Sequence, residues 1–529
     1  MPQTHIKALD KGATVAVVGC GAMGAGIAQV AATAGHTVLL FDAREGAAAK
    51  AVDGIADALA KLVAKDRMRE EDRVALLGRL EPVDGLAALA PAALVVEAIV
   101  EELEVKRGLF RDLEGIVGED AILATNTSSL PVTAIAAPLK RPERFAGLHF
   151  FNPAPLMALV EIISGLATDR AVAETLFATA KAWGKSPVHA RSTPGFIVNR
   201  VARPFYAEGL RALQEQAGDP ATLDAVMREC GGFRMGPFEL MDLIGHDVNF
   251  AVTRSVHAAY FGDPRFQPSL IQQELVEAGR LGRKTGRGFY DYGAGTEKAS
   301  PRDAADAPRP AVVSVEGHLG PAHGLVAMIR EAGIAVEELP EQGAGQGAGQ
   351  GATRPFGRNR IGRLVVDGIT LTLTDGRSAT QHAADTGRAD VILFDLARDY
   401  AGASRIAVAA SDGTARGSVM KAAGLFQALG KRVSVLDDLP GLLVMRTVAM
   451  LANEAADAVL QGVASAADVD TAMTKGVNYP LGPLAWAEAI GLDLVVDVLD
   501  ALVRTYGEDR YRASALLRRK VWGGTFFHD

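Results

Sequence analysis

Two short stretches of the chain carry residue types that do chemistry. His149 stands in Gly-Leu-His-Phe-Phe-Asn-Pro (147–153), and a carboxylate, Glu161, follows twelve residues on, after Leu159-Val160. Imidazole has an unperturbed pKa near neutrality, so it suits the removal of a hydroxyl proton from a secondary alcohol that is losing hydride. A carboxylate on the other ring nitrogen would fix the tautomer and stabilise the imidazolium. Small hydroxyls and amides of the kind that hold a substrate oxygen occur in Asn126-Thr127-Ser128-Ser129. The spacing does not establish that His149 and Glu161 meet. A histidine beside two phenylalanines is also at home as a packed core residue, and on pattern alone both readings stand.

A hydride needs an acceptor. Gly19-Cys20-Gly21-Ala22-Met23-Gly24 fits GxGxxG, directly after the β-branched run Thr-Val-Ala-Val-Val (14–18) and at the opening of a helical pattern. The first glycine permits the tight turn, the second lets backbone approach a pyrophosphate, and the third lets the helix pack on the strand. The helix start then faces the phosphates with free N–H groups. Asp42 closes the second strand, Thr-Val-Leu-Leu-Phe (37–41), 18 residues after Gly24. A carboxylate there accepts both ribose hydroxyls and repels a 2′-phosphate, which favours NAD over NADP; Arg44 tempers that preference. The plainer reading of Asp42 is a helix N-cap.

These residues need elements to hold them. Further strands are expected at Ala93–Val96, Ala121–Ala124 and Phe145–Phe150, with a helix from Arg44 to about Lys65. Strands alternating with helices predict a parallel sheet covered on both faces. From Pro194 to about Tyr292 the pattern is helical, Gly295–Pro310 reads as a linker, and strands return at Ala311–Val315, Leu364–Val366, Val391–Phe394, Ile406–Ala409 and Val433–Leu436. Within that region Gln342–Gly351 is a low-complexity Gly/Gln/Ala loop. The last segment, 440–529, is helical and repeats the earlier one. A shift of 246 residues pairs Pro194-Gly195 with Pro440-Gly441, Arg200 with Arg446, Glu208 with Glu454, Asp224 with Asp470, Gly236-Pro237 with Gly482-Pro483 and Gly245 with Gly491, without a gap. The expected fold is α/β plus all-α. A Rossmann-type dinucleotide domain (1–191) and a helical domain (192–293) precede a linker with a degenerate α/β domain (294–437) and a second helical copy (438–529).

Composition narrows the function classes. Lys and Arg number 55 against 63 Asp and Glu, a net charge of −8, which argues against nucleic acid as a partner. The two cysteines, Cys20 and Cys230, make neither a disulfide scaffold nor a zinc site. No metal is expected. No charge-free apolar stretch is long enough for a membrane span, and the charged N-terminus does not read as a signal peptide. A cytoplasmic protein is expected, and homo-oligomerisation is left open.

Gly-Leu-His-Phe-Phe-Asn-Pro (147–153), Asn-Thr-Ser-Ser (126–129), Val-Glu-Ala-Ile-Val-Glu (96–101), Thr-Pro-Gly-Phe-Ile-Val-Asn-Arg (193–200) and Gly-Arg-Lys-Thr-Gly-Arg-Gly-Phe-Tyr (282–290) together resemble the 3-hydroxyacyl-CoA dehydrogenase family over about residues 12–292. The resemblance implies NAD-dependent oxidation of a (3S)-3-hydroxyacyl-CoA, in fatty-acid β-oxidation or phenylacetate-type degradation. It implies His149 as catalytic base, Glu161 as its carboxylate partner, Ser128 as the hydroxyl on substrate, and Asn199 as an amide completing a site in the cleft between domains. Glu101, Lys106, Ser128, Asn152 and Lys284 match cofactor contacts. The plain alternative is surface charge for Glu101, Lys106 and Lys284, and a turn residue for Asn152.

For the coenzyme A nucleotide, Lys65 matches a family contact. Lys61 lies four residues before it on the same helix face, and a neighbouring family serine is Ala58 here. A solvated face is the bland reading of the two lysines. With its doubled helical domain the chain resembles longer bacterial members acting on 3-hydroxybutyryl-CoA or 3-hydroxyadipyl-CoA. For an adipyl carboxylate Arg203 and Arg234 are candidates that spacing does not separate.

One active site per chain is expected. Met445 stands at the repeat position of Asn199, and Val315-Glu316-Gly317-His318-Leu319-Gly320 lacks the full glycine pattern. The second helical copy is expected to pack on the first, where shorter relatives would place a partner subunit's copy. Two other readings are an NAD-dependent dehydrogenase of a free hydroxy acid and a catalytically silent, crystallin-like relative.

Overall fold

The computed structural model describes residues 7–297, 299–339 and 361–529. The Gly/Gln/Ala loop 342–351 lies outside them. The first part of the chain runs β1 (Val15–Val18), α1 (Ala22–Thr33), β2 (Val38–Phe41), α2 (Ala47–Val63), α3 (Glu70–Leu77), β3 (Leu80–Pro82), β4 (Leu94–Glu97), α4 (Leu103–Glu114), β5 (Ile122–Thr125), α5 (Val132–Ala136), β6 (Phe145–Phe150), β7 (Leu159–Ser164), α6 (Arg170–Ala182), β8 (Ser186–Arg191) and α7 (Val198–Val201). The central strands are apolar runs buried along their whole length, as a sheet covered on both faces requires.

The strand order is β3-β2-β1-β4-β5-β6-β7-β8. Strands β1 to β6 are parallel, but β7 pairs antiparallel with β6, and β8 follows β7 in parallel. The parallel sheet expected from the sequence therefore reverses at its end. The cause is the eight-residue connection 151–158. A parallel crossover needs a dozen residues or more, whereas a short link returns the chain antiparallel.

The rest of the chain runs α8 (Arg203–Gln214), α9 (Pro220–Glu229), α10 (Pro237–Ile244), α11 (His246–Ala259), α12 (Leu270–Glu277), β9 (Val312–Glu316), α13 (Leu325–Glu331), β10 (Ala335–Leu339), β11 (Arg363–Val366), β12 (Ile369–Leu373), α14 (Ala379–Thr386), β13 (Val391–Phe394), β14 (Arg405–Ala410), α15 (Arg416–Ala428), β15 (Arg432–Val435), α16 (Val444–Leu460), α17 (Ala466–Gly476), α18 (Pro483–Ile490), α19 (Leu492–Tyr506) and α20 (Ala515–Gly523). Among the described residues the second sheet has the order β10-β9-β11-β12-β13-β14-β15. It is mixed, with antiparallel pairs at β9–β11, β11–β12 and β13–β14.

The repeat shift carries α9, α10 and α11 onto α17, α18 and α19 at their first residues. It also carries backbone detail. Gly245 and Gly491 have φ of 99° and 101°, Gly195 and Gly441 75° and 76°, and the non-glycine residues Phe196 and Leu442 46° and 50°. Such left-handed values are unfavourable for residues with a Cβ, so their recurrence at matched positions marks one fold used twice.

The chain forms two compact units, residues 1–200 with 461–477, and residues 201–460 with 478–529. In the first, α17 packs on β7 and β8. In the second, its counterpart α9 packs on β14. Each helical copy thus sends this helix to the sheet that precedes the other copy. Within the second unit the copies also meet directly, α8 against α16, where Arg446 and Glu208, both fully buried, pair at 2.9 Å. Among the described residues no helix is long and apolar enough to cross a membrane.

Candidate active site

The reversal of β7 is what assembles the proton-handling pair. His149 and Glu161 are direct cross-strand partners in the β6–β7 ladder, and residues so placed project to the same face. The imidazole Nδ1 lies 2.7 Å from Glu161 Oε2, with both side chains buried. The other carboxylate oxygen accepts the backbone N–H groups of Ile197 and Val198, each at 3.0 Å. Gly195 and Phe196, both left-handed, turn the chain so that these two amides point at the carboxylate. Glu161 is therefore fixed from three directions. With Nδ1 donating to it, Nε2 carries the lone pair, and Nε2 has no hydrogen bond among the described residues. Phe151 and Phe196 flank the ring at centroid distances of 4.5 and 5.9 Å.

The Asn-Thr-Ser-Ser turn follows β5, at the carboxyl edge of the sheet. Glu101 Oε1 accepts from the Thr127 hydroxyl (2.6 Å), the amides of Ser128 (3.0 Å) and Ser129 (3.1 Å), and the Ser129 hydroxyl (3.0 Å). Burial works to raise the pKa of Glu101, but the Thr127 bond and the nearby Lys106 ammonium outweigh it and hold the carboxyl below its usual range. The Ser128 hydroxyl makes no hydrogen bond among the described residues, and Asn199 Nδ2 donates to the Ser128 carbonyl at 3.4 Å. Asn126 Oδ1 accepts the Phe150 amide at 2.8 Å, tying this turn to the residue after His149. Ser128, His149, Glu161 and Asn199 all belong to the first unit.

Lys106 is 1% exposed, with its ammonium turned inward on Glu97 and on Glu101, the latter at 3.3 Å. As placed it bears on a ligand through Glu101 rather than by touching one. Glu97 also accepts from the Thr125 hydroxyl (2.7 Å) and the Ile99 amide (2.7 Å). In the sequence Asn126 and Thr127 stand out only as part of the Asn-Thr-Ser-Ser stretch, and Glu97 only as part of Val-Glu-Ala-Ile-Val-Glu, with no role of its own. The one available signal was a carboxylate, Glu97, ending an otherwise apolar buried strand.

The glycine turn fits a dinucleotide pyrophosphate. A Cβ on Gly19 (φ +94°) would sit 2.6 Å from the Ala98 carbonyl, and one on Gly24 1.8 Å from the Gly19 carbonyl, whereas one on Gly21 would meet nothing within 4 Å. Gly21 and Ala22 are exposed and no side chain caps α1. The helix start is thus an open cradle of unbonded N–H groups, beside a groove of about 730 Å³ lined by Gly21, Ala22, Arg44 and Gly46. Met23 is half-buried behind it.

Asp42 at the end of β2 accepts the Cys20 amide (2.8 Å) and the Arg44 amide (3.0 Å) and pairs with the Arg44 guanidinium at 3.1 Å. Burial favours the neutral acid, but Arg44 and the two amides hold the carboxyl below its usual range. The N-cap alternative for Asp42 does not hold, because α2 begins at Ala47 behind a left-handed Gly46. Burial, reinforced by the Asp42 charge, pushes the Cys20 thiol up to about 12.

Asn152 is exposed and precedes a cis peptide bond to Pro153. Lys61 is exposed on the last turn of α2, and Lys65, also exposed, lies just beyond the helix, which ends two residues earlier than expected. Lys284 belongs to the second unit, where it pairs with Asp247.

The second copy keeps the carboxylate latch and differs at the other positions. Asp395, after β13, accepts the amides of Leu443 (2.9 Å) and Val444 (2.7 Å), the repeat equivalents of Ile197 and Val198. Burial pushes its carboxyl up to about 6 against these bonds. Met445, in place of Asn199, is fully buried. At the end of β9, Glu316 is bonded to Arg363 and lies 3.5 Å from Arg388.

The chain is similar along its length to known proteins. The family described as "3-hydroxyacyl-CoA dehydrogenase, NAD binding domain" matches residues 14–193. "3-Hydroxyacyl-CoA dehydrogenase, C-terminal domain" matches 195–292 and again 441–526. "3-Hydroxybutyryl-CoA dehydrogenase reduced Rossmann-fold domain" matches 371–440. A 3-hydroxyadipyl-CoA dehydrogenase of Escherichia coli K12 is 45% identical over 96% of this chain and 97% of its own. The human mitochondrial hydroxyacyl-coenzyme A dehydrogenase is 43% identical over 53% of this chain and 90% of its own. A crystal structure of 3-hydroxybutyryl-CoA dehydrogenase from E. coli K12 superposes with a TM-score of 0.84 at 43% identity, covering 96% of this chain and 98% of the other. By sequence along nearly its whole length, and by the fold that places His149 opposite Glu161, the chain belongs to the 3-hydroxyacyl-CoA dehydrogenase family.

Proposed function

We propose that this protein is an NAD-dependent 3-hydroxyacyl-CoA dehydrogenase that oxidises the hydroxyl of a (3S)-3-hydroxyacyl-CoA to the 3-oxo thioester, in fatty-acid β-oxidation or phenylacetate-type breakdown. The observation that carries it is His149, held through Nδ1 by a carboxylate at 2.7 Å with Nε2 unbonded. Nε2 takes the proton of the substrate hydroxyl, and Glu161 stabilises the imidazolium that results. The Ser128 hydroxyl and the Asn199 amide hold the substrate oxygen. Bound NAD supplies the hydride acceptor. The glycine turn of Gly19, Gly21 and Gly24, with Ala22 and Met23, receives its pyrophosphate, and Asp42 its ribose hydroxyls. Glu101, positioned by Lys106, acts with Asn152 and Lys284 in its binding. Lys61 and Lys65 offer cations to the coenzyme A phosphates.

The protein falls into four segments, 1–191, 192–293, 294–437 and 438–529, with one active site and a cytoplasmic setting. The two buried free thiols suit that setting. The second helical copy, through the packing of α16 on α8, takes the place proposed for a partner subunit's helical domain in shorter relatives. The test is steady-state NADH formation with 3-hydroxybutyryl-CoA and with free 3-hydroxybutyrate. The thioester should be turned over and the free acid left; turnover of the free acid alone would overturn the reading.

A further inference from the structure

In the second unit a cavity of about 260 Å³ lies among α8, the turn at Pro264–Phe266, the start of α12 and the turn at Asp509–Tyr511. Four of its lining residues carry a buried donor without a partner: Nε of Arg203, Arg265 and Arg510, and the hydroxyl of Ser269. Buried polar groups are almost always hydrogen-bonded. Four orphan donors around one cavity therefore call for an acceptor inside it.

The charges decide which acceptor. Arg211 on the wall is bonded to Glu508 and Glu215, which line the same cavity, and Arg510 adds a cation beside Glu508, so these four balance. Arg265 is paired with Glu454 at 3.3 Å and with Asp457. Arg203 has no such partner. It is 5% exposed, its single hydrogen bond runs from Nη1 to the neutral Thr253 hydroxyl at 3.1 Å, and its guanidinium lies 4.9 Å from the centre of the Tyr206 ring. Among the described residues it makes no ion pair, and the groups that oppose the effect of its burial are tyrosines, not carboxylates.

A guanidinium stays charged even when buried, and a buried charge without a counter-charge is costly. Thr253 occupies Nη1, which leaves the Nε–Nη2 edge, a two-donor fork shaped for a carboxylate. The cavity holds roughly eight waters at ~30 Å³ each, enough for a small organic acid and too little for a nucleotide.

We propose that this cavity is a carboxylate-binding site, in which Arg203 takes one carboxylate through its Nε–Nη2 edge and Ser269 donates a further bond. The occupant that fits this chemistry and volume is a small free organic acid. The full-length protein is titrated with propionate, succinate and adipate at constant ionic strength, with chloride as control, by calorimetry and thermal melting. Saturable binding that raises Tm is expected, weakened at least tenfold in Arg203→Met. In carboxylate-free buffer that variant should melt no lower than the parent, since it loses an uncompensated buried charge. Ser269→Ala, expected to weaken binding several-fold, decides the matter if Arg203→Met does not fold.

Absence of saturable binding by all three acids overturns the proposal, and so does an equal response to chloride.

Discussion

Replacing Glu161 by glutamine separates the electrostatic role of this carboxylate from its role as a latch. One oxygen accepts from Ile197 and Val198 and the other faces His149 Nδ1. A glutamine amide must keep its oxygen on the two backbone donors, because its NH2 group there would meet N–H against N–H. That orientation points the NH2 at Nδ1. Nδ1 must then accept, and the single ring proton moves to Nε2, the atom proposed to take the substrate proton. The variant forfeits the general-base contribution, ~10²–10⁴ in rate, which is about 2.7–5.4 kcal/mol of barrier at 1.36 kcal/mol per decade. The two backbone bonds change from charge-assisted to neutral, at about 1 kcal/mol each, so the protein should still fold. In an assay of NADH absorbance, kcat of Glu161→Gln should fall by at least ~10²-fold with KM for NAD little changed. A kcat within tenfold of the parent, with the fold intact, would refute this account of the tautomer.

Other substitutions probe the cofactor turn and the duplicated helices. Gly21→Ala, at a backbone angle any residue adopts (φ −70°) and with nothing within 4 Å of its Cβ, should leave Tm unchanged while NAD affinity, followed by fluorescence titration, drops about tenfold or more, ~1.4 kcal/mol. Gly24→Ala drives a Cβ to 1.8 Å from the Gly19 carbonyl and should lower stability itself, by about 1–3 kcal/mol or more in denaturant titration. Asp42→Ala removes the proposed ribose acceptor and frees the Arg44 guanidinium it holds at 3.1 Å; the ratio of kcat/KM for NAD over NADP should fall about tenfold or more, ~1.4 kcal/mol. Glu208→Ala leaves the fully buried Arg446 with Glu215, at 4.0 Å, in place of its 2.9 Å carboxylate partner and should cost about 3 kcal/mol in unfolding free energy, whereas Glu208→Leu with Arg446→Met should recover most of it.

What the sequence discloses and what it hides divide along physical lines. The glycine turn and Asp42 are legible because a local backbone requirement fixes residue type at fixed spacing. Most central strands are legible because burial on both faces demands unbroken apolar runs; β3, β8 and β10 escape because they are short or polar (Leu-Glu-Pro, Ser-Pro-Val-His-Ala-Arg and Ala-Val-Glu-Glu-Leu), and β7 and β12 because Glu161 and the alternating threonines interrupt their apolar runs. The meeting of His149 with Glu161 depends on strand direction, which the eight-residue link between β6 and β7 sets; that length was the overlooked clue. The repeat revealed two copies of one helical fold. It carried no sign that α17 would pack on β7 and β8 while α9 packs on β14, because both helices offer the same kind of apolar face. Lys106 looked like a ligand contact by position, and its burial on Glu97 and Glu101 was not visible without the third dimension.

The claim that His149 is the proton acceptor is tested most directly by single-turnover hydride transfer in His149→Gln, with NAD and 3-hydroxybutyryl-CoA saturating and NAD affinity measured in the same preparation. The account predicts unchanged NAD binding and a transfer rate slowed by at least ~10²-fold. Parental transfer rates in a protein that binds NAD normally would contradict it.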